Sequence, residues 1–324
     1  MKLVLGVDAG GTASRAVVAT TRGAVLGRGS AGPGNPAAAG PQAARAIGTA
    51  VRTALRGHDP ATVIAGVVGV AGRSALADPR VAEAFAEQWR ATGLTCPVTV
   101  VGDAVTAFAA GTPAPSGAVL IAGTGAVAAR LESRRVTGTA DGLGWLLGDE
   151  GSGLWLGLHA VRAVARTWPA SAPRGLAAAV ATHAAVVSCD QLVHWAGRQP
   201  PSAFAALAPV VCAAARAGDP LAVRLTTEAG TRLVATLGEL GPLDGPVVLA
   251  GGLLTGDTPV REAVLAALPG PVATSHDPAA GAAWLALREV SELDDQAAGR
   301  LHGRMLPALS HTGTSRVHRD TPAS

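Results

Sequence analysis

Lysine is almost missing from this 324-residue chain: Lys2 is the only one, and every other basic side chain apart from histidine is an arginine. A Walker-type phosphate loop needs a lysine late in a glycine run, and a protein kinase needs one on a strand, so both devices are excluded. Tyrosine is absent and aromatics make up 3% of residues, which removes the stacking platforms that hold exposed bases. The net charge of +3 is spread along the chain without a basic run, so no nucleic-acid partner is expected. Cys96, Cys189 and Cys212 are far apart and lack a C-x-x-C spacing. They form neither a disulfide framework nor a zinc or iron-sulfur set within one chain, and they fit a reducing cytoplasm. The apolar start is broken at Asp8, too early for a secretion signal. The longest uncharged stretch, Ala104 to Ala129, contains Pro113, Pro115 and four glycines. It reads as helix, loop, strand and turn, with no membrane partner.

What is abundant is small and apolar: 48% of residues are hydrophobic and 42 are glycine, the composition of a compact α/β globule. Strand-like runs at Lys2 to Val7, Ala13 to Thr20 and Ala24 to Arg28 open the chain as a meander. Helix signals follow from Pro41 and from Asp78-Pro79, and buried strands at Val63 to Val70 and Val98 to Val101. The pattern then restarts: strands at Gly117 to Ala122, Ala126 to Leu131 and Arg135 to Thr139, helices near 152–168, 203–216 and 221–240, and a strand at Val247 to Ala250. A repeated strand, glycine turn and strand predicts two related halves with a cleft between them. A last helix is expected near Pro278 to Glu289, then a disordered polar tail from about Asp294. His302, His311 and His318 fit no compact metal site and read as part of that tail.

Four segments carry chemistry. Asp8-Ala9-Gly10-Gly11-Thr12 ends a strand in a tight turn, either an ordinary hairpin or a place where backbone N–H groups approach an anion while Asp8 holds a metal through water. Gly123-Thr124-Gly125 repeats the device, and two such turns across a cleft could grip phosphates from both sides. The same residues through Ala128, with Asp141 downstream, imitate a dinucleotide fingerprint, but they sit mid-chain after a meander rather than opening a βαβ unit. Asp103 stands at the mouth of a strand and before a helix, as a helix cap or as a base for a substrate hydroxyl. Trp145 to Gly153 sets Asp149 and Glu150 among glycines, with Ser152 as a helix cap. A rigid carboxylate of this kind suits a pair of adjacent sugar hydroxyls.

Taken in order from residue 3 to 287, these segments resemble the N-acetylglucosamine kinase family. That family is of the BadF/BadG/BcrA/BcrD ATPase type, within the sugar kinase, heat-shock chaperone and actin superfamily. The residues in common are the Asp8 to Thr12 turn, Asn35, Gly102-Asp103, Gly123 to Gly125, Gly144-Trp145, Gly148 to Ser152, Gly218 to Leu221 and Gly251-Gly252. The resemblance implies an α/β fold of two RNase H-like lobes (the actin-like ATPase fold) around a nucleotide cleft. The N-terminal lobe would span 1–115 and the C-terminal lobe 116–282, with a helix at about 283–293 packing back on the first. It further implies ATP and Mg2+ as cofactors. Asp8 would hold the metal, Gly10, Gly11, Thr12 and Thr124 the phosphates, and Gly251 and Gly252 the adenosine. Asn35, Asp103, Gly144, Trp145 and Asp149 would hold an amino sugar, with Asp103 as the base at its 6-hydroxyl. Family members are often homodimers, although no stripe in this chain marks an interface. Ala126-Val127 replaces a Ser-Asn pair of the animal members, which leaves N-acetylglucosamine, glucosamine and muramic derivatives open. The alternative is an activator-type ATPase or a non-catalytic sensor of the same fold.

Overall fold

A computed structural model describes residues 1–168 and 172–306. The strands are β1 (Leu3–Ala9), β2 (Ser14–Thr20), β3 (Val25–Ala31), β4 (Val63–Val70), β5 (Val98–Gly102), β6 (Gly117–Ala122), β7 (Ala126–Glu132), β8 (Arg135–Asp141), β9 (Val247–Ala250) and β10 (Val272–Thr274). In the first half the helices are α1 (Pro36–Ala39), α2 (Gln42–Ala54), α3 (Pro79–Ala91) and α4 (Asp103–Gly111). In the second they are α5 (Gly153–Arg166), α6 (Gly175–Ala184), α7 (Cys189–Ala196), α8 (Pro201–Ala205), α9 (Ala208–Arg216), α10 (Pro220–Gly238), α11 (Gly252–Thr255), α12 (Pro259–Ala267), α13 (Pro278–Glu289) and α14 (Asp295–Met305).

The duplication expected from the glycine turns extends to the topology. One sheet runs β3-β2-β1-β4-β5 and the other β8-β7-β6-β9-β10. In both, the first three strands are antiparallel and the last two join in parallel. This is the two-lobed actin-like architecture. Gly123 to Gly125 joins two antiparallel strands instead of opening a helix, which disposes of the dinucleotide-fingerprint match.

Between the sheets lies a thin, alanine-rich core. Val4 and Ala65 of the first sheet and Val119 and Val248 of the second close on Ala104, Ala107 and Phe108 of α4 and on Ala279, Ala283 and Trp284 of α13. Two glycines set the spacing: a Cβ at Gly6 would meet the α13 backbone, 2.1 Å from Ala279 O, and one at Gly281 would lie 2.6 Å from Thr106 O of α4. Each sheet covers its outer face with its own helices, α2 and α3 for the first and α5, α6, α9, α10 and α12 for the second.

The helix expected near Pro278 to Glu289 is α13, with those bounds, so the span 283–293 is too late; its cap is Asp277, which accepts from Ala280 N at 3.0 Å. The expected disordered tail needs correction. Residues 295–305, expected to be disordered, form α14. Its Asp294 caps the first turn, and Ala298, His302 and Met305 are buried against α13 and α4. His302 is not a solvated tail residue: Nε2 lies 2.8 Å from Ala109 O, and the ring meets Trp284 edge-on. Short apolar spacing within a polar segment hid this helix. His311 and His318 lie outside the described residues. Among the described residues no single helix is long and apolar enough to cross a membrane.

Candidate active site

The first glycine turn is braced from behind. Gly10 N donates to Ala13 O at 3.0 Å, Gly34 N to Gly10 O at 3.0 Å, and Ser14 Oγ to Gly32 O at 3.0 Å. The 32–35 loop is thereby held against the end of β1. Asn35 caps α1, its Oδ1 accepting from Ala37 N at 2.8 Å, which leaves Nδ2 to donate to a ligand. Asp8 is buried at the same strand end. Its carboxyl is pushed up to about 7, first by burial and then by the charge of Asp103, with Asp277 adding and Arg15 opposing.

Asp103 is the first residue of α4, and the cap position falls to Gly102. One carboxylate oxygen, Oδ1, accepts from Ala104 N at 3.0 Å, so the other stays available. Burial raises this group too, with backbone N–H groups pulling the other way. Asp8, buried, and Asp103, half-buried, repel one another and make a site short of positive charge. No three His, Cys, Asp or Glu side chains gather as a metal cage among the described residues. Mg2+ in phosphoryl-transfer sites rests on one or two carboxylates plus the phosphates themselves, a donor set that the Asp8 carboxylate at the end of β1 fits.

Across the cleft, Gly123 N donates to Gly125 O at 2.9 Å, and the Gly123 and Thr124 carbonyls accept from Gly153 N (2.8 Å) and Leu154 N (3.2 Å) in the first turn of α5. Ser152 caps that helix by accepting from Trp155 N at 3.1 Å, as its place before an apolar run predicts. The two turns meet: Thr12 Oγ1 and Thr124 Oγ1 are 3.3 Å apart, 112 residues distant in sequence. Gly251, at φ +82°, arches over β6, where a Cβ would sit 2.3 Å from Ala122 O. Gly252 N then lies 4.0 Å from where a Cβ on Gly123 would be. Three glycine segments thus converge on one cleft.

The acidic pair is split. Glu150 Oε2 takes an ion pair from Arg232 at 2.5 Å, and the Arg232 guanidinium lies 4.9 Å from the centre of the Trp155 ring. Asp149 turns the other way and accepts from Ala126 N at 2.9 Å through Oδ1, which ties the loop to the end of the second glycine turn. Partial burial raises its carboxyl above the usual range. Gly144 and Trp145 stand in an exposed arm of the same loop, Trp145 at 53%. Asp141, which in sequence only imitates a ribose ligand, organises this loop: its carboxylate accepts from Asp149 N and Glu150 N, both at 2.8 Å. An Asp-Gly pair closing a strand eight residues before the acidic pair was the signal available.

Residues 5–286 match the sequence profile of the BadF/BadG/BcrA/BcrD ATPase family. The chain belongs to that family. It is 25% identical over 247 residues to the N-acetyl-D-glucosamine kinase of Dictyostelium discoideum, covering 72% of this chain and 77% of that one. To the N-acetylmuramic acid/N-acetylglucosamine kinase of Clostridium acetobutylicum it is 28% identical over 171 residues. That match spans only 52% of this chain and 55% of the relative. A solved candidate N-acetylglucosamine kinase from Chromobacterium violaceum superposes with a TM-score of 0.72 at 26% identity, over 89% of this chain and 99% of that one. A Streptomyces griseus ROK-family glucokinase, solved with glucose and AMPPNP, shares the fold at a TM-score of 0.56 and 23% identity, over 88% and 99% of the two chains. The α14 helix lies beyond the family match.

Proposed function

We propose that this protein is an ATP-dependent amino-sugar kinase that phosphorylates the 6-hydroxyl of N-acetylglucosamine or glucosamine. The observation that carries the reading is Asp103: a half-buried carboxylate at the mouth of β5, close enough to raise the carboxyl of Asp8, which stands at the end of β1 beside the place where the two matched glycine turns meet. The turn of Gly10, Gly11 and Thr12, through the backbone N–H groups of Gly11 and Thr12, and Thr124 on the other side, would receive the phosphates, with Gly251 and Gly252 against the adenosine. Asp8 would hold Mg2+, which when bound neutralises charge on the phosphates during transfer. The free oxygen of Asp103 would take the proton of the attacking hydroxyl, while Asn35, Gly144, Trp145 and Asp149 orient the sugar. Positioning and charge supply most of the acceleration in phosphoryl transfer, and those are the tasks these groups fit.

An activator-type reading would need cysteines presented for a shared cluster. Here Cys212 is buried, and Cys96 and Cys189 belong to different lobes. The test is coupled ADP release with Mg-ATP across N-acetylglucosamine, glucosamine, N-acetylmuramic acid, N-acetylmannosamine and glucose. Stimulation by one amino sugar, lost in Asp103→Asn, is the expected result. ATP binding with no stimulation by any sugar would overturn the reading.

A further inference from the structure

The loop from β8 to α5 adopts a conformation that its sequence would not choose unaided. Asp141 and Asp149 both sit at φ +59°, a left-handed backbone that non-glycine residues rarely occupy and that persists only where surrounding bonds enforce it. What enforces it is the Asp141 carboxylate. Oδ1 accepts from Asp149 N and Oδ2 from Glu150 N, both at 2.8 Å, with Leu143 N longer at 3.4 Å. The loop folds around this carboxylate so closely that a Cβ on Gly148 would fall 2.0 Å from Oδ1. A side chain at 148 would have to push the Asp141 carboxylate off these amides, so glycine there is what lets Asp141 hold them. Downstream, Asp149 spends one oxygen on Ala126 N and has the other left for a ligand.

We propose that Asp141 is a positioning residue for the sugar subsite. By gripping two consecutive N–H groups, its carboxylate fixes the main chain at Asp149 and Glu150 and aims the remaining Asp149 oxygen at a sugar hydroxyl. This rests on the assignment of Asp149 to the sugar under the proposed function. In this role Asp141 acts through Asp149, because its own carboxylate is taken up by the loop's N–H groups. Its effect therefore falls on the binding of one substrate and not on nucleotide or on the chemical step.

Asp141→Asn is the sharpest test, because it keeps shape and replaces one acceptor with a donor facing an N–H. Losing one hydrogen bond to an ionised group corresponds to about a tenfold rise in the KM for the sugar, with kcat changed less than about threefold and the KM for ATP held within about twofold. A second readout does not depend on activity. Trp145, Leu146 and Leu147 are exposed, so chymotrypsin should cut wild type slowly within 145–147 and Asp141→Asn markedly faster, at similar thermal stability. Asp149→Asn is run alongside. If it raises the sugar KM while Asp141→Asn does not, the positioning role is overturned and the subsite stands. If Asp149→Asn is without effect, or no sugar stimulates turnover, the subsite assignment fails and the role falls with it. A rise in both KM values with loss of thermal stability would mark Asp141 as a general fold residue and also overturn the role.

Discussion

Asp103 opens α4 and His302 of α14 bonds to its far end at Ala109 O, and each makes a testable demand. Replacing Asp103 by Asn removes a general base without changing volume. Turnover should fall by about 10²–10⁴-fold while calorimetric ATP affinity stays near wild type; near-normal turnover would refute the assignment. His302 is held neutral, its pKa lowered by burial against the opposing bond to Ala109 O. Because that oxygen can only accept, Nε2 carries the proton. A histidine with a depressed folded pKa stabilises the fold fully above its unfolded value, near 6.5, and that contribution is lost as pH falls through the folded value. Melting temperature should therefore drop between about pH 7 and 5 more steeply in wild type than in His302→Gln. Parallel curves would show that the ring does not titrate with unfolding.

At the scale of elements, the cleft depends on a turn at Gly251 that cannot carry a side chain and on two hydroxyls that meet across it. Gly251→Ala would set a methyl against Ala122 O at a positive φ. A cost of about 1–3 kcal/mol is expected, seen as a lower melting temperature together with weaker ATP binding. Thr12→Val should chiefly weaken ATP, with the KM for sugar much less affected; an equal loss for both substrates would contradict the division of the cleft. These elements were legible in sequence because strand periodicity and glycine turns are local signals, and Ser152 announced the start of α5. The three-residue β10 was not, since its pairing with β9 is set by tertiary contact and three residues carry no period. The Asp141 to Glu150 loop was legible only as a motif. Its geometry depends on a carboxylate holding amides eight and nine residues away, which no spacing rule encodes.

For the whole molecule, α14 joins the C-terminus to the joint between the lobes. Trp284 Nε1 donates to Ala298 O at 3.0 Å, and the guanidiniums of Arg134 and Arg288 each lie 5.5 Å from the same ring. Removing residues 294–324 should lower the melting temperature by roughly 5 °C or more, whereas removing 307–324 isolates whatever α14 does not supply. Equal melting temperatures for the two truncations would show that α14 adds nothing. Trp284→Ala should cost about 3–5 kcal/mol. The covering of β1 by α13 also has a consequence in time. All five strands of the first sheet are complete once Gly102 has been made, yet the helix that seals its inner face begins at Pro278. At about 5–20 residues per second of synthesis, those intervening residues, about 175 in number, occupy the ribosome for roughly 10–35 seconds. Through that interval the nascent first lobe has only α4 to lay over Val4, Val17 and Ala65, and the part of that apolar face awaiting α13 stays open to chaperones or to a neighbouring nascent chain.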